Sequence, residues 1–307
     1  MPEFPTPHLD KLERALENEK LPAGDKAVLE AAKTRYHAWT DALNRVEGPP
    51  EEILRKMVDL LNEYRFYIDV NVVFDSESDF LYRQKGQLKL DNSVIEEFLP
   101  RLIQPSVIPE LKGSDVSVGP VSAFSSLFFV SSLDAPQIGG GMSIRTKDQD
   151  FAISKPLYIR ASHTAGFEKG QYELKMANVA YVAAECKTNL DKTMFQEACA
   201  TARDTKFAVA GARYYLLAEW LDMTPLSTAS TEIDEVLLLR KAKRINSNVR
   251  NEYARSDRRR VRRQEYVDYL TSNPFRSEVF ARLVDHVRGL LKNEAPEERK
   301  VLDLGYF

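Results

Sequence analysis

The chain contains few of the residues from which zinc sites and disulfide frameworks are built. Its 307 residues include only two cysteines and four histidines. Two cysteines provide no disulfide framework, so we expect a protein of the reducing cytoplasm. The histidines lie far apart and show no metal-ligand spacing. This argues against a zinc site and against a nucleophile activated by histidine.

Long apolar runs are also missing. No stretch approaches the roughly 20 apolar residues that a membrane-spanning helix requires. The first residues lack the basic and apolar regions of a secretory signal. Hydrophobic residues make up 43% of the chain and charged residues 29%, which suits a soluble protein with a sizeable core. We therefore expect one large domain or two smaller ones, with no membrane contact.

The chain has no excess of positive charge overall, because its net charge is −3. Residues 240–263, however, carry eleven Lys or Arg residues against two acids, a net charge of +9 that leaves −12 for the rest. Such a basic segment on an acidic chain is a candidate surface for DNA phosphates, and a solvated charged face is the alternative. The candidate DNA-binding residues are Arg255, Arg258, Arg259, Arg260, Arg262 and Arg263.

The N-terminal part has the apolar spacing of helices. Residues 8–72 predict several helices, interrupted by Gly48-Pro49-Pro50. We expect a helical region over residues 1–75, used for packing, dimerisation or DNA contact, and a second domain over residues 76–307. Residues 74–90 are ambiguous between a hairpin and a substrate loop. A further helix is expected to begin at Asn92 and Ser93, with Ser93 and Glu96 forming a capping box.

Five later segments have the pattern of strands. They begin near residues 121, 150, 179, 213 and 235, with helical patterns between some of them and at residues 279–291. Gly139-Gly140-Gly141 predicts a turn and lacks the Lys-Ser/Thr of a phosphate-binding loop. The sequence therefore predicts an α/β fold with a central mixed β-sheet flanked by helices.

The third of these strands ends in an acid and a base. Alternation along a strand places Glu185 and Lys187 on one face and Cys186 on the other, towards the core. Asp191 follows at the expected N-cap of a helix. Glu-x-Lys occurs four times in the chain, so a surface ion pair at the end of a strand is the alternative interpretation.

A second acid precedes the strand at residue 150. Asp150 is followed by the alternating residues Phe151 and Ile153, and a neighbouring strand of this kind can deliver Asp150 to Glu185 and Lys187. Two carboxylates of this kind bind Mg²⁺, which polarises a phosphate and lowers the pKa of its bound water. Asp148 is a rival for the same position, but it is followed by Gln149 and not by a hydrophobic strand residue.

These two motifs resemble those of the PD-(D/E)XK nuclease superfamily. The run from Ala184 to Ala198 is similar to that of type II restriction endonucleases of the group that includes BbvCI, which recognise short, nearly palindromic sites. The resemblance covers roughly residues 93–244 in organisation, and Gln149 stands where the superfamily often has proline. It implies that residues 76–307 form a nuclease domain with a restriction-endonuclease-like core, which follows the N-terminal helical region.

The resemblance also implies the site and its partners. It assigns Asp150, Glu185 and Lys187 to catalysis, and Asp150, Glu185 and the Cys186 carbonyl to a Mg²⁺ ion. It implies double-stranded DNA as the substrate and pairing as a homodimer or as a heterodimer with a related subunit. Glu96 matches an acid that superfamily members often carry on the helix before the sheet.

We therefore predict a Mg²⁺-dependent type II restriction endonuclease that hydrolyses double-stranded DNA at a short specific sequence. A DNA repair or resolvase nuclease with the same site, or a non-catalytic DNA-binding protein, is the alternative.

Overall fold

A computed structural model of the chain describes residues 4–83 and 90–292. The helices are α1 (Pro7–Leu16), α2 (Ala23–Asn44), α3 (Pro50–Tyr67), α4 (Asp79–Tyr82), α5 (Leu90–Leu102), α6 (Lys192–Ala208), α7 (Ser247–Glu252), α8 (Ser256–Val261), α9 (Arg263–Ser272) and α10 (Ser277–Leu291). The strands are β1 (Ser117–Phe129), β2 (Met142–Ser162), β3 (Tyr172–Leu190), β4 (Arg213–Leu221) and β5 (Glu235–Lys243).

The five strands form one mixed sheet in the order β1-β2-β3-β4-β5. β2 pairs antiparallel with both β1 and β3, whereas β3, β4 and β5 run parallel. β2 and β3 are long strands joined by a turn, so their outer parts form an extended hairpin arm. The predicted α/β fold with a mixed sheet and an N-terminal helical region is confirmed.

The two faces of the sheet are covered by different helices. The larger core packs α1, α2, α3, α5 and α10 against the face of the sheet that carries Phe151, Cys186 and Leu217. The smaller core packs α6 against the opposite face, where Ala183 and Tyr214 lie. The N-terminal helices thus share a core with the sheet, and the division near residue 75 stays a prediction. None of the described helices is long and apolar enough to cross a membrane.

Local sequence signals account for several boundaries. Pro50 begins α3 after the break at Gly48, which adopts a φ of 139° that favours glycine. Asp191 caps α6 as predicted, because its Oδ1 accepts a hydrogen bond from the Met194 N–H at 2.8 Å.

Two local expectations fail in the structure. Ser93 lies inside α5 and its hydroxyl donates to the Leu90 carbonyl at 2.9 Å, so the predicted capping box is wrong. The described part of residues 74–90 contains the end of a π-helical stretch (Ile68–Phe74) and the short α4, so the hairpin is wrong there, and residues 84–89 lie outside the described residues. The alternative of a substrate loop stays a prediction.

Candidate active site

The site lies where β2 and β3 separate. Their antiparallel pairing runs from Ser162–Tyr172 to Phe151–Ala184. Past this point β2 pairs with β1, and β3 continues beside β4 as far as Leu190. Asp150 and Glu185 are the next residues on the two diverging strands, so the topology of the sheet brings them together at a fork.

Direct contacts cross this strand fork. Oδ2 of Asp150 accepts a hydrogen bond from the Cys186 main-chain N–H at 2.8 Å. Nζ of Lys187 lies 2.6 Å from Oε1 of Glu185, which confirms that these two side chains share a face. The Tyr214 hydroxyl on β4 donates to Oε2 of Glu185 at 3.0 Å, and so holds the second oxygen of that carboxylate.

The fork concentrates charge in a partly buried place. Burial raises the pKa of Asp150, and the neighbouring negative charge of Glu185 raises it further, against the hydrogen bond from Cys186. Burial alone lowers the pKa of Lys187, but its hydrogen bond and charge interaction with Glu185 outweigh burial, so the pKa is raised. Lys187 is therefore protonated at neutral pH.

A third acid approaches the fork from α5. Burial raises the pKa of Glu96, with a contribution from the charge of Asp150. Glu96 accepts a hydrogen bond from Asn92 Nδ2 at 2.7 Å, and Nζ of Lys11 on α1 lies 3.6 Å from its other oxygen. Because Ser93 lies inside α5, Glu96 is not part of the predicted capping box, and its role as the acid that the family resemblance implied stays a prediction.

The rival Asp148 has different surroundings. It is exposed, pairs with Ser122 in the sheet register and accepts a hydrogen bond from the Ser122 hydroxyl. Asp148 lines the same open cleft of about 360 Å³ as Asp150, Glu185 and Glu197. Asp150, by contrast, is joined directly to β3. The geometry thus favours Asp150 as a metal ligand, and this assignment stays a prediction.

The donor atoms at the fork suit magnesium better than zinc. No cluster of three or more His, Cys, Asp or Glu side chains with the geometry of a metal site occurs in residues 4–83 and 90–292. Mg²⁺ commonly uses only one or two carboxylates and completes its shell with water and phosphate. Two carboxylates close enough to raise a pKa favour a bound cation. The Cys186 thiol is buried in the core, so only its carbonyl is available there.

The basic segment comprises the end of β5, the two short helices α7 and α8, and the start of α9. Five of the six candidate arginines are at least partly exposed and have acidic partners, for example Arg263 with Asp75 at 2.8 Å and Arg260 with Glu77 at 2.5 Å. Arg259 is different, because it is 1% exposed and donates to three main-chain carbonyls. In this structure it faces the protein interior and not the solvent.

Several residues of the site were not found from the sequence. Tyr214 and Lys11 reach Glu185 and Glu96 from other elements, and no local pattern marks them. Tyr214 belongs to an apolar strand and Lys11 to an amphipathic helix, so each is ordinary in its own segment.

A mixed sheet with two acids and a lysine at a strand fork is the arrangement that the resemblance to restriction endonucleases implied. The Bpu10I restriction endonuclease family matches residues 87–307, more than half of the chain, and the chain belongs to that family. The predicted relationship to type II restriction endonucleases is thereby confirmed.

The fold is similar to that of a solved structure described as the native BbvCI A2B2 tetramer at low resolution. The TM-score is 0.59 at 18% identity, over 88% of this chain and 98% of that chain. At this identity the likeness shows the fold. No curated protein matches the chain.

Proposed function

We propose that the chain hydrolyses phosphodiester bonds of double-stranded DNA at a short specific sequence and requires Mg²⁺. The observation that carries this proposal is the strand fork, where Asp150 and Glu185 meet and Lys187 lies 2.6 Å from Glu185. Membership of the Bpu10I restriction endonuclease family supports DNA as the substrate.

Each residue of the fork has a distinct role in this proposal. Asp150, Glu185 and the Cys186 carbonyl hold Mg²⁺, which when bound polarises the scissile phosphate and lowers the pKa of a water molecule. Lys187 is held in its charged form by Glu185 and orients the attacking water or stabilises the negative charge of the transition state. Tyr214 fixes the orientation of Glu185 through its 3.0 Å hydrogen bond.

The exposed arginines of residues 240–263 are the proposed contacts to DNA phosphates. Their present partners form surface ion pairs, which contribute about 0–1 kcal/mol each. Phosphates can therefore replace these acids at little cost. In this proposal Arg259 acts indirectly, by holding α8 against the carbonyls of Phe74 and Ser76.

We also propose that the chain pairs with a second copy or with a related subunit. Supporting this, the ends of β1 and the hairpin arm expose large apolar side chains, including Phe129 at 57%, Tyr158 at 68% and Met176 at 54%. Tyr158 and Met176 are opposite each other in the sheet register, so they form one continuous apolar surface. Exposed patches of this kind mark interaction sites.

Two free cysteines support a reducing, cytoplasmic location.

The mass of the purified chain in solution tests the pairing. Light scattering after size exclusion should give twice the chain mass of 35.0 kDa. A 35.0 kDa species that doubles only with a co-expressed related subunit indicates a heterodimer. A monomer under both conditions contradicts the pairing.

Digestion of plasmid DNA with Mg²⁺ tests the activity. Discrete bands that disappear with chelator are the expected result. Random nicking or cleavage of branched junctions indicates a repair or resolvase nuclease with the same site. Binding without cleavage indicates that the Glu185–Lys187 pair is structural.

A further inference from the structure

A second cleft lies at the carboxyl ends of the three parallel strands. Thr188 of β3, Trp220 of β4 and Arg244 just after β5 line it, and its volume is about 210 Å³. Clefts outside the carboxyl ends of parallel strands are common ligand sites. Thr188 follows Lys187 directly but its side chain points to the other face of β3, so this cleft is separate from the strand fork.

Six of the fifteen residues that line this second cleft are aromatic. They comprise Phe74, Tyr82, Trp220, Tyr253, Tyr266 and Tyr269. Trp220 stacks on Tyr269 with ring centroids 4.8 Å apart, and Phe74 stacks on Tyr266 at 4.2 Å. Stacking covers one face of each of these rings, and the guanidinium of Arg240 lies 4.7 Å from the centre of the Trp220 ring. The partly exposed Tyr266 and Tyr269 are the members of the two pairs that remain open to a planar ligand.

The charges that line the cleft favour an anion beside that ring. Arg244 and Arg250 both bind the same oxygen of Asp222, at 2.9 and 3.2 Å. Two guanidinium groups share one carboxylate, so one positive charge is left over and several N–H donors remain for a phosphate. Deeper in the cleft, the buried Arg65 and Arg240 face the acids Asp69, Asp91 and Glu219, so the excess positive charge is confined to Arg244 and Arg250.

The cleft also contains an unused polar group. Tyr253 is 3% exposed, and its hydroxyl has no hydrogen-bond partner in the described part of the chain. Buried hydroxyls are usually paired, so this orphan beside the cleft points to a missing partner. A base edge supplies both donors and acceptors for such a group.

We propose that this cleft binds one nucleotide, with an unstacked base against the aromatic walls and its phosphate at Arg244 and Arg250. The proposal rests on the proposed function for its source, which is a nucleotide extruded from the DNA that the strand fork cleaves. Base stacking on aromatic side chains accepts any base, because each has a π-face. A free nucleotide has the same chemistry, and the experiment separates the two sources.

Tryptophan fluorescence tests this directly. The chain has two tryptophans, and Trp220 lines the cleft. Trp39 is buried elsewhere, stacks on Tyr64 and has an indole N–H without a partner, so Trp39→Phe loses no hydrogen bond. In that variant all tryptophan emission comes from Trp220. It is titrated with deoxynucleoside monophosphates and with duplex DNA, without divalent cations, so that the DNA stays intact.

The expected result is saturable quenching of Trp220 by duplex DNA and by mononucleotides. Tyr253→Phe and Arg250→Gln, made in the Trp39→Phe background, should each weaken mononucleotide binding about fivefold or more, as loss of one hydrogen bond does. Arg255→Gln is the matched control. Arg255 belongs to the same basic segment but pairs with Asp257 outside the cleft, so mononucleotide binding should not change.

Other outcomes are equally informative. Quenching by mononucleotides but not by duplex DNA assigns the cleft to free nucleotides. Absence of quenching by both ligands overturns the proposal. It is also overturned if Tyr253→Phe and Arg250→Gln leave the quenching unchanged while their melting temperatures match that of the Trp39→Phe parent. If the protein cleaves DNA but no ligand changes the Trp220 fluorescence, only the proposal of a nucleotide site in this cleft is refuted. If the ligands quench Trp220 but the protein does not cleave DNA, the nuclease function is refuted and the proposed binding site is retained.

Discussion

Replacing Lys187 with alanine separates catalysis from structural ion pairing. Lys187 lies 2.6 Å from Glu185, and the side chains are 26% and 19% exposed. The chain provides a matched control on the same strand, because Lys175 lies 2.8 Å from Glu173 in another Glu-x-Lys sequence, with exposures of 42% and 28%. Both substitutions remove one lysine from one ion pair.

The expected magnitudes differ sharply between stability and rate. A largely solvated pair such as Glu173–Lys175 contributes at most about 1 kcal/mol to the free energy of unfolding, and Glu185–Lys187 only slightly more. If Lys187 stabilises charge in the transition state, its loss costs about 3–4 kcal/mol in the barrier, or roughly 10²- to 10³-fold in rate. Lys187→Arg should not restore the rate, because a planar guanidinium cannot replace a compact ammonium against one water.

Single-turnover cleavage at saturating enzyme and thermal melting are measured on the same preparations. Lys187→Ala should lose cleavage while its melting temperature stays close to that of the wild type. Lys175→Ala should resemble the wild type in both. If Lys187→Ala melts earlier but still cleaves within about tenfold of the wild type, the ion pair is structural and the catalytic role of Lys187 is refuted.

Three further predictions concern the other charged groups. Asp150→Ala should abolish cleavage and keep DNA binding, whereas Asp148→Asn should keep substantial cleavage, and the opposite pattern in the gel assay exchanges their roles. Arg260→Gln should lower the salt dependence of DNA binding by about one unit of log K against log salt. Arg259→Gln should instead lower the free energy of unfolding, by about 2–4 kcal/mol, because three buried carbonyls lose their donor. If the two variants change DNA binding and stability to the same extent, the distinction between Arg260 and Arg259 is wrong. Burial lowers the pKa of His8 to about 3. Between pH 6.5 and 3 the unfolded chain therefore binds a proton that the folded chain does not. As the pH is lowered through this range, the free energy of unfolding should fall by about 1.4 kcal/mol per pH unit more in the wild type than in His8→Gln. Parallel curves of stability against pH for the two proteins would refute the claim that His8 stays neutral in the folded chain.

The local features of the fold follow from the sequence to a large extent. Alternation along β3 correctly placed Glu185 and Lys187 together and Cys186 in the core, because these positions depend only on the pleat of one strand. The cap at Asp191 and the strand β5 are likewise set by neighbouring residues.

Features that depend on distant segments could not be found in this way. The capping box at Ser93 failed because α5 already includes Leu90, and the side chain of Ser93 is used by His8 of α1 at 2.9 Å. Arg259 looks like its neighbours in sequence, but one turn of α8 places it over Tyr82 and inside the core. The meeting of Asp150 with β3 is a matter of sheet register, which the pattern of one strand cannot set. The sequence indicated only that a neighbouring strand can deliver Asp150, and the resemblance to a nuclease family implied that it does.

The strand fork is tested most directly by locating its metal. Crystals of the wild-type protein with duplex DNA that carries its mapped cleavage site are grown with Mn²⁺ in place of Mg²⁺, and anomalous diffraction is recorded. The proposed mechanism predicts a peak bound by the carboxylates of Asp150 and Glu185. A peak elsewhere in the protein, with none at the strand fork, would contradict it.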